Sequence, residues 1–138
     1  MKKPHISIVL IIVLCFMLSG CVTQTGLGQN EVLKYTMYIG LNDEDTYTQQ
    51  ISYEEAEKKV SDIALKYVDG FTARVAKGAY KDEKGVITHE NSLVFEFYNA
   101  TDQQMKAIMD EILRDLNQNS ILIEKQKVNY EFYEGAKP

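Results

Sequence analysis

Leu33-Lys34-Tyr35-Thr36-Met37-Tyr38-Ile39-Gly40-Leu41 decides how the rest of the chain is read. Tyr35, Met37, Ile39 and Leu41 put an apolar side chain at every second position, with Lys34, Thr36 and Tyr38 between them. Successive side chains of an extended backbone point to opposite faces, so this is a strand with one face in a core. A polar loop, Asn42 to Gln50, follows it. Ser52-Tyr53-Glu54-Glu55 then has the form of a capping box, with Ile51 placed to staple against Ala56. Beyond the box, Ala56, Val60, Ile63, Ala64 and Tyr67 recur at helical spacing.

The pattern then repeats with two strands before the next helix. Asp69-Gly70 turns the chain, and Phe71, Ala73 and Val75 restore the two-residue period as far as about Tyr80. Lys81-Asp82-Glu83-Lys84-Gly85 reads as a hairpin turn. The return strand from Val86 is expected to break near Glu90-Asn91 and resume with Leu93, Phe95 and Phe97. Thr101-Asp102-Gln103-Gln104 is a second capping box, ahead of an apolar stripe of Met105, Ile108, Met109, Ile112 and Leu116. After Asn117-Gln118-Asn119 a last strand carries Ile121 and Ile123, then Val128, Tyr130 and Phe132. Its phase shifts around Gln126, which reads as a bulge or corner.

Strand, helix, strand, strand, helix, strand closes most simply as an α+β, ferredoxin-like sandwich. Two helices then cover one face of a four-stranded antiparallel sheet. In that topology the first two strands run the same way with the third between them. Loop 42–51, turn 81–85 and connection 117–119 therefore gather at one end.

The N-terminus carries a different message. Lys2 and Lys3 precede an apolar run from Ile6 to Leu18, broken only by Ser7 and 13 residues long. That is too short to span a bilayer but suits the core of a signal peptide. The run ends in Leu18-Ser19-Gly20-Cys21, which resembles the lipobox of bacterial lipoproteins. The resemblance implies cleavage before Cys21 and acylation of its thiol with diacylglyceryl chains such as palmitate. Residues 1–20 are thus expected to be a signal peptide, 21–31 the lipidated cysteine and a flexible tether, and 32–138 the folded domain. The mature chain would sit lipid-anchored on the extracytoplasmic side of the cell membrane. An ordinary secretory signal with an unrelated cysteine is the competing reading.

Composition then excludes several functions. The full chain has 138 residues, 45% of them hydrophobic, enough for one domain with its own core. Removing residues 1–20 leaves 13 basic and 20 acidic side chains, a net charge of −7. That sign disfavours nucleic acid and anionic headgroups alike, so attachment is expected through lipid and not through the protein surface. Cys15 is discarded and Cys21 acylated, so no thiol remains for a disulfide or a metal. His89 is then the one histidine left, which rules out a histidine metal cluster or a catalytic triad. No cofactor-binding motif is present.

Across residues 35–133 the chain also resembles a family of small exported bacterial proteins, catalogued as domain of unknown function three-five-seven-four. The matching pieces are Tyr38-Ile39-Gly40-Leu41, Asp69-Gly70-Phe71-Thr72, Gly78-Ala79-Tyr80, Gly85, Glu90-Asn91-Ser92 and Asn117-Gln118-Asn119-Ser120-Ile121. The resemblance implies the same fold and an exported protein. It brings no activity and no catalytic residue.

The sequence favours a non-catalytic module that binds an envelope protein or a second copy of itself. Its expected interface is the open sheet face, with Tyr38, Arg74, Tyr98 and Tyr133, because tyrosine combines an apolar ring with a polar tip. The alternative is a metal-independent enzyme or ligand-binding domain with Tyr80, His89 and Glu90 in a pocket at the loop-rich end. A third reading gives Asn42-Asp43-Glu44-Asp45 to calcium, although the glycine and distal glutamate of the twelve-residue calcium loop are missing. The lipid assignment has a direct test. Cys21→Ser is expected to abolish palmitate labelling and move the protein from the membrane to the soluble fraction. Membrane retention of the unlabelled variant would show that another segment anchors it.

Overall fold

A computed structural model describes residues 31–81 and 84–136. The expected signal peptide, Cys21, the expected tether as far as residue 30, and Asp82 and Glu83 of the hairpin turn lie outside the described residues. The elements run β1 (Glu31–Gly40), α1 (Tyr53–Ala64), β2 (Thr72–Lys81), β3 (Ile87–Tyr98), α2 (Asp102–Asp115) and β4 (Leu122–Asn129). The sheet order is β2-β3-β1-β4, and every neighbouring pair is antiparallel. This is the ferredoxin-like sandwich expected from the element order.

β1 lies at the centre and is paired along both edges. Tyr35 faces Phe97 of β3 and Lys125 of β4; Met37 faces Phe95 and Ile123. The side chains of Tyr35, Met37 and Ile39 meet Leu93, Phe95 and Phe97, and all are buried. Both helices close over this face. α1 contributes Ala56, Val60, Ile63 and Ala64, and α2 contributes Met105, Ile108 and Ile112. Phe71 packs beside Phe95, with ring centres 4.9 Å apart.

The caps form as their sequences suggest. Ser52 accepts from the Glu55 N–H at 3.1 Å. Thr101 and Gln104 make the full reciprocal box. The Gln104 amide also donates to the Tyr67 carbonyl at 2.6 Å, tying the start of α2 to the end of the α1 turn. Tyr67 is not in the helix, because α1 closes at Ala64 and the chain tightens through Leu65 to Val68. There the Tyr67 hydroxyl donates to Glu111 of α2, which also pairs with Lys66 at 2.6 Å.

Two expectations about the strands are corrected. β3 is continuous: Gly78–Glu90 and Lys77–Asn91 pair in unbroken register, so no interruption occurs at Glu90-Asn91. Their side chains are polar because Glu90 stands on the open face and Asn91, on the helix side, bonds Gln49 of the loop before α1. β4 likewise has no bulge at Gln126, since its register against β1 runs unbroken from Leu122 to Asn129. The shift of apolar phase is a change of face. Ile123 packs toward the helices, whereas Val128 stands on the open face opposite Val32. On the helix side at that point, Lys125 meets the carboxylate of Asp102, which also accepts from the buried Tyr35 at 2.6 Å.

The middle of the open face is covered by the chain itself. Lys34 and Arg74 both pair with Glu96, at 2.7 and 3.2 Å. Thr36 is only 4% exposed, and Val94, between Tyr38 and Arg74 in the register, only 1%. The hydrogen bond from Lys34, with help from Arg74, holds the Glu96 carboxyl below its usual range.

Two outcomes follow for stability. Phe95→Ala removes a ring from the centre of the core and is expected to cost about 3–5 kcal/mol by chemical denaturation. Glu96 stabilises the fold fully above the ordinary glutamate value of about 4.3 and loses that contribution as pH falls through its depressed folded value. Glu96→Gln is therefore expected to flatten the fall of melting temperature with acidification below about pH 4.3, leaving neutral pH less stable. An unchanged acid limb would show that the pairing is too solvated to matter.

Candidate functional site

The loop-rich end holds a groove of about 720 Å³, open along one side. Its floor is the open face of the sheet, with Tyr38 and Gly40 from β1, Glu90 and Ser92 from β3, Tyr80 from β2 and Leu122 at the start of β4. One wall is the loop after β1, with Asp43 to Asp45 and Tyr47. The other is the connection after α2, with Gln118, Asn119 and Ser120.

The wall after β1 is built by hydrogen bonds from a distant part of the chain. Asp43 Oδ1 accepts from the N–H groups of Asp45 and Thr46 at 3.1 and 3.0 Å, closing a tight turn. Its Oδ2 accepts from the Asn117 amide at 2.8 Å, and the same amide reaches Asp45 at 2.8 Å. The Glu44 N–H donates to the Asn117 carbonyl, and the Gln118 amide donates to the Asn42 carbonyl, both at 2.9 Å. Asn117 has φ +47, a conformation asparagine tolerates better than most residues, and it brings both its amide and its carbonyl to the loop. The Asn117 amide, then the Thr46 N–H, hold the Asp43 carboxyl below the usual range. The four-residue acidic run is thus a turn stapled to the end of α2. Among the described residues no three His, Cys, Asp or Glu side chains converge as metal ligands.

Glu90 and Gly40 form the tightest feature of the floor. The Glu90 carboxylate lies directly over the Gly40 Cα and accepts from the Asn42 N–H at 3.1 Å. A Cβ on residue 40 would stand 2.4 to 2.6 Å from the three carboxylate atoms. Glycine, with no Cβ, admits this approach; its φ is not positive, and the neighbouring atoms are the mobile end of the Glu90 side chain. Tyr38, the next open-face residue along β1, donates to Glu124 at 3.3 Å.

Of the pocket residues expected from sequence, Tyr80 and Glu90 share the groove and His89 does not. His89 lines a smaller neighbouring hollow of about 370 Å³ with Gln49, Lys77, Asn91 and Glu90, so Glu90 borders both recesses. The expected interface residues are divided too. Tyr38 is in the groove, Arg74 is paired with Glu96, and Tyr98 and Tyr133 lie toward the opposite end of the sheet. Sequence reasoning missed Ser92, Asn119, Ser120, Leu122 and Tyr47 as groove residues. The quoted family pieces already contained Ser92, Asn119 and Ser120, but their convergence needs the sheet register.

Residues 34–132 match the sequence profile of a family described as a protein of unknown function (DUF3574). The chain belongs to this family. No curated protein matches it. Solved structures share the DUF3574 fold at low identity. A phage SAM lyase in complex with S-methyl-5′-thioadenosine is 18% identical over 75% of this chain and 93% of its own, with a TM-score of 0.54. The same lyase in the apo state is 17% identical, with 75% and 94% coverage and a TM-score of 0.52. CutA from Synechococcus elongatus is 12% identical, with 73% and 78% coverage and a TM-score of 0.43. At these identities the property shared with the lyase is the fold.

The Gly40–Glu90 contact predicts a coupled pair of substitutions. Gly40→Ala is expected to swing the Glu90 carboxylate off the floor at a cost of no more than about 1 kcal/mol, since the clashing atoms end a flexible side chain. The same change made in a Glu90→Ala background should cost clearly less, because the clashing atoms are gone. Equal costs in the two backgrounds would place the strain in the backbone instead.

Proposed function

We propose that this DUF3574 protein is a lipid-anchored extracytoplasmic binding domain whose groove takes a small organic cation. The observation carrying this reading is the groove itself, which has four carboxylates and three tyrosines along its lining and no lysine or arginine among its described residues. Its volume falls within the range of about 300–1,000 Å³ usual for small-ligand sites. Carboxylates in a recess attract positive charge, and tyrosine faces favour a desolvated cation. Glu90 supplies the fixed charge on the floor; Tyr38, Tyr47 and Tyr80 supply the rings. The lipobox supports the anchored location, and among the described residues no helix is long and apolar enough to cross a membrane.

Interaction with a protein partner across the open face is less well supported, because the Lys34–Glu96–Arg74 network and the covered Val94 leave no single continuous patch at its centre.

Thermal unfolding of the full chain with a panel of organic cations tests the proposal. The probes are polyamines, choline and S-adenosylmethionine, with neutral S-methyl-5′-thioadenosine, the molecule held by the phage lyase, as counterpart. A ligand at a hundredfold excess over its dissociation constant adds about 2.7 kcal/mol to the folded state. A cation is expected to raise the melting temperature, and Glu90→Gln is expected to abolish the rise. Stabilisation by the neutral nucleoside alone would replace the cation by a nucleoside as ligand. A flat panel would leave the groove without the assigned role.

A further inference from the structure

The end of the sheet opposite the groove carries the two most exposed aromatic rings of the described residues, Phe132 and Tyr133 beyond β4, at 85% and 90% exposure. Tyr98, which closes β3, is 47% exposed. Tyr98 and Phe132 do not stand singly. The Tyr98 and Tyr130 ring centres lie 6.0 Å apart, and Phe132 meets Tyr130 edge-on at 5.5 Å. Rings of this size left open to water in a row ordinarily have something to cover them.

The position of the row says what covers it. Glu31, the first residue of β1, pairs with Asn129, directly before Tyr130, and Lys34 pairs with Tyr98. The aromatic row therefore begins where the chain arrives from Cys21. Only nine residues, 22–30, separate Cys21 from β1, giving an r.m.s. span of about 17 Å and a ceiling of about 32 Å. A lipid on Cys21 brings this end of the sheet, and not the groove end, to the bilayer.

We infer that Tyr98, Tyr130, Phe132 and Tyr133 form a second, interfacial membrane contact that settles into the boundary between headgroups and acyl chains. This inference rests on the lipid-anchored reading and goes beyond it by assigning the domain an orientation. Tyrosine suits that depth because its ring is apolar and its hydroxyl stays wet. The flanking Glu131 and Glu134 match a zwitterionic surface better than an anionic one. The surface is thus not merely repelled by the membrane, as net charge alone implies: an uncharged aromatic row makes contact while the acidic groove faces away.

The chain contains no tryptophan, so a single introduced indole reports without background. Phe132→Trp places it in the row, and Tyr47→Trp places it on the exposed loop at the opposite end. Each full-length variant, purified with its lipid, is reconstituted in phosphatidylcholine vesicles with plain or brominated acyl chains. Mass spectrometry first reads the acyl groups on Cys21. The indole of the Phe132→Trp variant is expected to emit blue-shifted and to lose about half its intensity to the brominated chains, since interfacial segments sit about 5–10 Å into the boundary. The indole of the Tyr47→Trp variant is expected to show neither change. An acylated Phe132→Trp protein whose emission is unquenched overturns this inference alone, and a blue shift without bromine quenching reassigns the cover to the tether or to a second copy. An unacylated Cys21 overturns the anchored reading and this inference with it.

Discussion

The structure depends on β1 keeping one side chain in two inside the core while hydrogen-bonded along both edges. Tyr35, Met37, Ile39 and Leu41 meet both helices, and the same backbone pairs with β3 and β4. A slip of one residue would turn this whole set outward and bring Thr36, Tyr38 and Gly40 into the core, so the register is strongly held. The open face is the complement of that choice. Tyr38 and Gly40 reach the groove floor because their neighbours are committed to the other side.

From this strand the molecule divides into two ends with different chemistry. At the end where β1 finishes, Asn117 and Gln118 hold the following loop in place, and the bare Cα of Gly40 admits the Glu90 carboxylate. Carboxylates and phenols collect there without lysine or arginine in the described lining. At the end where β1 begins stands a row of aromatic rings. A strand pairing at the centre of the sheet thus separates the recess from that row by nearly its full length.

Much of this is legible in the residue pattern, and the failures have a common cause. Both helix caps, the alternation of β1 and the order of elements are readable because each is a relation between residues two to four positions apart. The break expected at Glu90-Asn91 and the bulge expected at Gln126 both equate loss of apolar alternation with loss of pairing. Backbone pairing needs no apolar side chain, and a strand that outruns its helix layer changes its side-chain preferences without changing its geometry. His89 and Glu90 adjoin in sequence and share the smaller hollow, but only Glu90 also reaches the groove with Tyr80, a division that the strand register decides.

The sequence by itself determined the class of fold, the buried face of β1 and of both helices, the signal-like N-terminus and the acidic character of the domain. Local periodicity and composition encode all four. Only the tertiary structure decided that Glu90 lies on Gly40, that Asp43 is held by Asn117, and that Tyr38 faces the recess while Tyr98 stands at the other end. The hydrogen bonds that fix Glu90 and Asp43 join residues 48 and 74 positions apart, and the placing of the tyrosines depends on which end of a strand each occupies. All are set by strand register and by where the helix layer stops, and neither is written in any local stretch of the chain.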